Sequence, residues 1–228
     1  MICANIAHLR GRIAETARKS GRNPDDIQLL AVSKHMAVEK IEEARQCGQR
    51  MFGENFIQEA QAKIEHCDPS IVWHFIGHLQ SNKAKQAARL FQLIETVDRL
   101  KLAQALNRHA AHYGKILDIL IQVNVGQEEQ KSGIPPQDAE QLIRETRKLE
   151  HLRIRGLMTI PPYADNPELS RPYFRILKKL ADEFSKKGYF TNKAPLILSM
   201  GMSADYTVAV EEGATLVRVG TAIFGNRI

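Results

Sequence analysis

The chain has 228 residues, 25% of them charged and 43% hydrophobic, which allows an ordinary buried core and excludes disordered and fibrous classes. Its net charge of +6 comes from 32 Lys and Arg against 26 Asp and Glu, scattered along helix-like segments such as Arg10, Arg12, Arg18, Lys19 and Arg22. That spread reads as a solvated basic face that would suit an anionic small ligand, and it argues against nucleic acid as a partner. No segment approaches the ~20 apolar residues that span a bilayer.

The first nineteen residues have no charged start, apolar run and cleavage site in succession. They place Ile6, Leu9, Ile13 and Ala17 on one helical face. A cytoplasmic protein is expected. The three cysteines, Cys3, Cys47 and Cys67, form no CxxC and have no partners at metal-ligand spacing. Reduced thiols, no disulfide framework and no metal site are expected.

From there the chain alternates short apolar runs with stretches of helical period. Strands are predicted over Ile27–Lys34, Arg50–Asn55, Val72–Gly77 and Gln92–Asp98, with helices over Val38–Cys47 and Phe56–His66. The second half adds strands over Ile116–Val125, Ile154–Ile160, Leu196–Gly201 and Thr215–Gly220. Pro135 and Pro136 open a helix whose stripe is Ala139, Leu142, Ile143, Thr146 and Leu149. Pro161 and Pro162 begin the longest loop. No low-complexity linker interrupts residues 1–228, so one domain is expected. Eight alternating strands fit a closed (β/α)8 barrel of TIM type, with a doubly wound open sheet as the competitor that periodicity cannot separate.

In a barrel, function gathers where strands end. The first run ends in Ser33-Lys34-His35. An amine at that mouth, beside low-dielectric walls, is pushed toward the neutral form that carbonyl chemistry requires. A lysine snorkelling out of a strand end is the plainer reading of this residue alone. The second run ends in Gly53-Glu54-Asn55, where Asn55 offers an amide to a ligand oxygen but is also ordinary turn material. His74 and His78 lie in a strand and its exit, a poor arrangement for a metal. The seventh and eighth runs end in Ser199-Met200-Gly201-Met202-Ser203 and Arg218-Val219-Gly220-Thr221. Both loops suit an anion, and barrels often build phosphate sites there. With strand 8 beside strand 1, an aldehyde-bearing phosphate ester would satisfy all three loops.

AVSKH, FGEN, WHFIGHLQSNK, the stretch from Asn124 through Lys131 to Gly133, GLMTIP, LSMGMSADY and VRVGTAIFG follow in that order between Leu29 and Asn226. Together they resemble the pyridoxal phosphate homeostasis proteins, single-domain relatives of the N-terminal barrel of alanine racemase. The resemblance implies a barrel of that kind. It also implies pyridoxal 5′-phosphate (PLP) as the cofactor, held as a Schiff base on Lys34. Arg218 would face the pyridine nitrogen, Gly220 and Thr221 would hold the phosphate with Ser199 and Ser203, and Asn55 and Met158 would lie near the ring.

An arginine cannot accept the pyridinium proton, so the ring would be a weak electron sink. Racemases of this kind also carry a second, β-rich domain and take an opposite-face tyrosine from a partner subunit. Here the chain stops at Ile228, after the eighth strand's loop, and Tyr163 is the only tyrosine to consider. The expected function is therefore intracellular PLP homeostasis without dedicated catalysis and with no catalytic residue assigned. A slow PLP-dependent amino-acid racemase is the first alternative, and a barrel acting on a phosphorylated sugar is the second. Transient contact with apo-PLP enzymes and a monomeric state complete the expectations, with neither nucleic acid nor membrane as a partner.

Overall fold

In the computed structural model, which describes residues 1–128, 130–191 and 194–225, each apolar run contains a strand. These are β1 (Gln28–Val32), β2 (Met51–Glu54), β3 (Val72–Phe75), β4 (Leu93–Val97), β5 (Leu117–Gln122), β6 (Leu152–Met158), β7 (Ile197–Ser199) and β8 (Leu216–Val219). Neighbours pair in parallel and in sequence order, and β8 pairs back onto β1, which closes the barrel. The open doubly wound alternative is excluded.

Parallel neighbours need long crossovers, and helices supply them. The helices are α1 (Ile2–Lys19), α2 (Val38–Gln46), α3 (Ile57–Ile64), α4 (Ala84–Leu90), α5 (Leu100–His112), α6 (Ala139–Thr146), α7 (Arg171–Lys186), α8 (Tyr206–Glu211) and α9 (Thr221–Phe224). The stripe expected after the proline pair is the buried face of α6, with Leu149 just beyond its end. No helix among the described residues is long and apolar enough to cross a membrane. Asn226 and Arg227, the last residues of the FGNR stretch, lie outside the described residues.

The two-residue period of each strand sorts its side chains between two cores. On β1, Leu29 and Ala31 join the layer shared with the helices, while Leu30 packs inside the barrel with Ile76 and Leu216, flanked by Val32. A second inner cluster joins Leu93, Leu120 and Met158. The barrel interior is thus filled by side chains.

The strands stop short of the predicted runs. Ser33 donates its amide to Gly53 O (3.0 Å), and the chain then turns so that Met36 N returns to Ser33 O (3.0 Å). Beyond Gln122, Val123 makes only an isolated bridge to Ile134. Apolar composition persists past the last ladder pair because the loop residues are themselves buried.

α1 packs against α2, α8 and α9 through the predicted face, Ile6, Leu9, Ile13 and Ala17 all being buried. Asn5 Nδ2 donates to Ile223 O (2.9 Å), tying α1 to α9. The contact of α1 with α2 also corrects the thiol reading. Cys3 and Cys47 are joined as a disulfide, with Cα atoms 5.3 Å apart, and Cys67 alone is a thiol. A 44-residue separation in sequence carried no sign of that proximity, which is created by helix packing.

Candidate functional site

The C-terminal ends of β7, β8, β1 and β2 are consecutive around the ring, and they bring Ser203, Gly220, Thr221, Lys34 and Asn55 to one side of the mouth. Leu30 and Val32 line the interior of β1 and Ser33 turns toward the helices, and half-buried Lys34 follows in the turn just beyond the strand's C-terminal end. The β1–β2 pairing, Ala31 with Phe52 and Val32 with Gly53, brings Lys34 alongside Asn55 when continued.

Behind Lys34, on the helix side, lies a buried polar cluster. Ser33 Oγ donates to Glu54 Oε1 (2.6 Å), and the same carboxylate oxygen accepts from Lys63 Nζ of α3 (2.8 Å). Lys63 Nζ also donates to Ser33 O (2.7 Å) and Glu59 Oε1 (2.6 Å). Burial pushes the Glu54 carboxyl above its usual range, and the bonds from Lys63 and Ser33 oppose that shift.

A second polar cluster crosses the barrel interior beneath the mouth. Arg218 of β8 donates to Ser199 Oγ (2.5 Å) and Thr159 O (2.8 Å). Ser199 Oγ donates to Glu95 Oε2 (2.5 Å), and His74 Nδ1 lies 2.7 Å from Glu95 Oε1. Glu95 Oε2 is 3.9 Å from the Arg218 guanidinium, which is only 3% exposed. Burial lowers the Arg218 pKa, while Glu95 and Asp205 act to raise it. Ser199 of β7, Thr159 just beyond β6 and Glu95 of β4 thus surround one guanidinium with both terminal nitrogens engaged.

The loop after β7 owes its path to Gly201, whose φ of +91° favours glycine and whose added Cβ would lie 2.5 Å from Ala209 Cβ. Its carbonyl accepts from Arg218 N (3.0 Å), which locks the β7 and β8 exits together. Met202 N donates to Asp205 Oδ1 (2.7 Å), leaving Ser203 half-buried within the turn. Gly220 is buried, and Thr221 is exposed at the start of α9.

Beside Asn55 opens a cleft of about 260 Å³, lined by Asn55, Gly77, Thr96, Gln122, Ser132 and Ile160 among others. Asn55 Oδ1, Thr96 Oγ1 and Gln122 Oε1 are buried there with no hydrogen-bond partner in the protein. Buried polar atoms are seldom left unpaired, so three in one cleft mark a place for a polar ligand. Gly77 shapes the rim: a Cβ at that position would come within 2.2 Å of Asn55 O.

The expected site residues therefore fall into two groups. Lys34, Asn55, Ser203, Gly220 and Thr221 sit around the mouth. Arg218 and Ser199 lie beneath it, and Met158 is packed between Leu93 and Leu120 inside the barrel. The Ser199 hydroxyl is engaged with Glu95 and Arg218. Sequence reading passed over Lys63, Glu95, Thr96 and Gln122, weighed His74 only as a metal ligand, and named Glu54 only as part of a strand exit. A signal existed for Glu95 and His74, since a charged or polar residue inside an apolar parallel-strand run must face something polar.

A closed barrel with a lysine just beyond its first strand and an arginine inside the eighth is a barrel of the alanine racemase N-terminal kind. The model of that family, alanine racemase N-terminal domain, matches residues 5–227. The chain belongs to the family of pyridoxal phosphate homeostasis proteins. It is 43% identical over 226 residues to the protein of that name from Aquifex aeolicus, covering 99% of this chain and 98% of the other. The Escherichia coli K12 protein of that name is 41% identical over 232 residues, 99% of this chain and 97% of its own. Among solved structures, PipY of Synechococcus elongatus PCC7942, determined with PLP bound, superposes with a TM-score of 0.85 at 36% identity, over 99% of this chain and all of PipY. An alanine racemase of Clostridium difficile 630 shares the fold (TM-score 0.77, 18% identity), with 98% of this chain matched to 57% of the racemase.

Proposed function

We propose that this chain binds pyridoxal 5′-phosphate at the barrel mouth, anchors it on Lys34, and stores and delivers it in the cytoplasm rather than turning over a substrate of its own. The observation that carries this reading is the placement of Lys34 just beyond the C-terminal end of β1, with Asn55 at the neighbouring β2 exit holding a buried, unpaired carbonyl oxygen. The names of the relatives and the PLP bound to PipY support it.

When bound, the cofactor supplies an aldehyde able to condense reversibly with a primary amine, together with a phosphate that takes N–H and hydroxyl donors. The residues present suit such a group. Lys34 offers the amine, Ser203, Gly220 and Thr221 offer the anion contacts, and Asn55 and the cleft beside it carry polar atoms in need of partners. Arg218, held by Ser199 and Thr159 O, would face the ring nitrogen, and Met158, packed inside the barrel, would support the floor from below.

Arginine holds its proton and cannot accept one from the ring, which leaves little electron-withdrawing power for carbanion chemistry. Tyr163 is 84% exposed and donates to Asp165 (3.0 Å), which does not suit a second acid/base in an enclosed site. We therefore favour a carrier, acting as a monomer that meets apo-PLP enzymes transiently, over a racemase.

The test is spectroscopic. Purified protein and Lys34→Ala are loaded with PLP, stripped of unbound ligand, and recorded before and after borohydride. A visible band in the wild type, fixed by reduction and absent in Lys34→Ala, is expected. Retention of the band by Lys34→Ala would move the anchor elsewhere. α-Hydrogen exchange on added amino acids at a steady rate would favour the racemase.

A further inference from the structure

The buried cluster behind Lys34 has a geometry that burial alone does not require. Lys63 is 6% exposed, and its ammonium reaches three acceptors: Ser33 O, Glu54 Oε1 and Glu59 Oε1. Glu59 Oε1 accepts in turn from His35 N at 2.5 Å. Ser33 C=O belongs to the peptide group before the Lys34 Cα, and His35 N–H to the one after it. Both peptide planes that set the Lys34 backbone are therefore hydrogen-bonded to one ion pair on α3. The turn needs such a hold, because His35 adopts φ +63°, a left-handed conformation that costs a side-chain-bearing residue on the order of 1 kcal/mol.

Stability does not explain the arrangement well. A buried ion pair contributes little net stability compared with an apolar replacement of similar volume, whereas it fixes direction closely. With its three N–H directions taken by acceptors, Lys63 is also not the amine that an incoming aldehyde would meet.

We infer that Lys63 and Glu59 form a positioning pair that clamps the backbone on both sides of Lys34 and so aims its amine at the aldehyde of a ligand in the mouth. The inference rests on the function proposed above. It assigns Lys63 no direct contact with the ligand.

Lys63→Met removes the hold on Ser33 O and the ammonium that fixes Glu59, and Glu59→Ala removes the hold on His35 N and one of the three acceptors of Lys63, which stays paired with Glu54 and Ser33 O. Each is compared with wild type after far-UV circular dichroism and a melting curve establish that it is folded at the assay temperature. PLP is then mixed in, and the rate of band appearance and the circular dichroism induced in that band are recorded. Peptide mapping after borohydride locates the attachment. Misaiming a reacting group by about an ångström slows reaction by up to a hundredfold. A fall on the order of tenfold in attachment rate is expected in both variants, with a weakened induced signal and attachment still at Lys34. Folded variants that attach at the wild-type rate with the wild-type induced signal would overturn the inference. Should Lys63→Met not fold, Glu59→Ala decides alone. A wild type that shows no band sinks the proposed function and this inference together, whereas a wild-type band with unaltered variants sinks only the inference.

Discussion

Glu95 is the counter-charge for a guanidinium sealed inside the barrel, and Glu95→Ala isolates that role. The substitution removes the acceptor of Ser199 Oγ (2.5 Å) and the partner of His74 Nδ1 (2.7 Å). It also removes the carboxylate 3.9 Å from Arg218. Glu95 is fully buried and Arg218 3% exposed, so little solvent reaches the pair to replace what is lost. Breaking one side of a buried pair costs about 3–5 kcal/mol. For a domain of this size each kcal/mol moves the melting point by roughly 2–4 °C, so the midpoint should fall by roughly 6–20 °C. Thermal and urea unfolding followed by far-UV circular dichroism measure the loss. Because the site is buried, raising the salt concentration should change the difference between variant and wild type very little. Replacing both residues by methionine removes the charge along with its partner and should cost less than Glu95→Ala alone. A loss below about 1 kcal/mol for Glu95→Ala would refute the argument, since the guanidinium would then be balanced by Asp205 or by water instead.

Three further outcomes are expected. Gly77→Ala should displace Asn55, because the new Cβ would lie 2.2 Å from Asn55 O, and it should lower both melting point and PLP retention; unchanged retention would separate Asn55 from the site. Thiol titration of the unfolded, unreduced chain should find one reactive cysteine, rising to three after reduction, given the Cys3–Cys47 link. In the folded protein Cys67 should react slowly, since burial raises its pKa to about 11. At pH 8 about one molecule in a thousand then carries the reactive thiolate, and the rate should climb with pH toward that value.

The strands were legible because each is an apolar run bounded by polar turns, and Lys34 because it ends one of them. Barrel closure was not, since periodicity reports burial on two faces and is the same for an open sheet. The residues around the mouth could be named because their exits carry glycine, hydroxyl and amide groups. What the sequence concealed was direction. Ser199 reads as a hydroxyl at a strand exit, yet it is the inward residue of β7 and turns to Glu95 and Arg218. Lys63 reads as one of many helical lysines, and only the packing of α3 beneath β1 and β2 makes it the partner of Glu54. The disulfide was hidden for the same reason: helix crossings bring together residues whose spacing in the chain says nothing.

Closure of the ring between β1 and β8 also has a consequence during synthesis. Gln28 through Ala31 hydrogen-bond to Leu216 through Val219, so one side of β1 has no partner until almost the whole sequence has been translated. At 5–20 residues per second the intervening segment takes roughly ten to forty seconds to make. During that interval β1 is an open sheet edge of the kind that pairs with other chains, and the apolar face of α1 waits for α8 and α9. The newborn protein is therefore most prone to aggregate while β1 waits for β8 to emerge and pair with it.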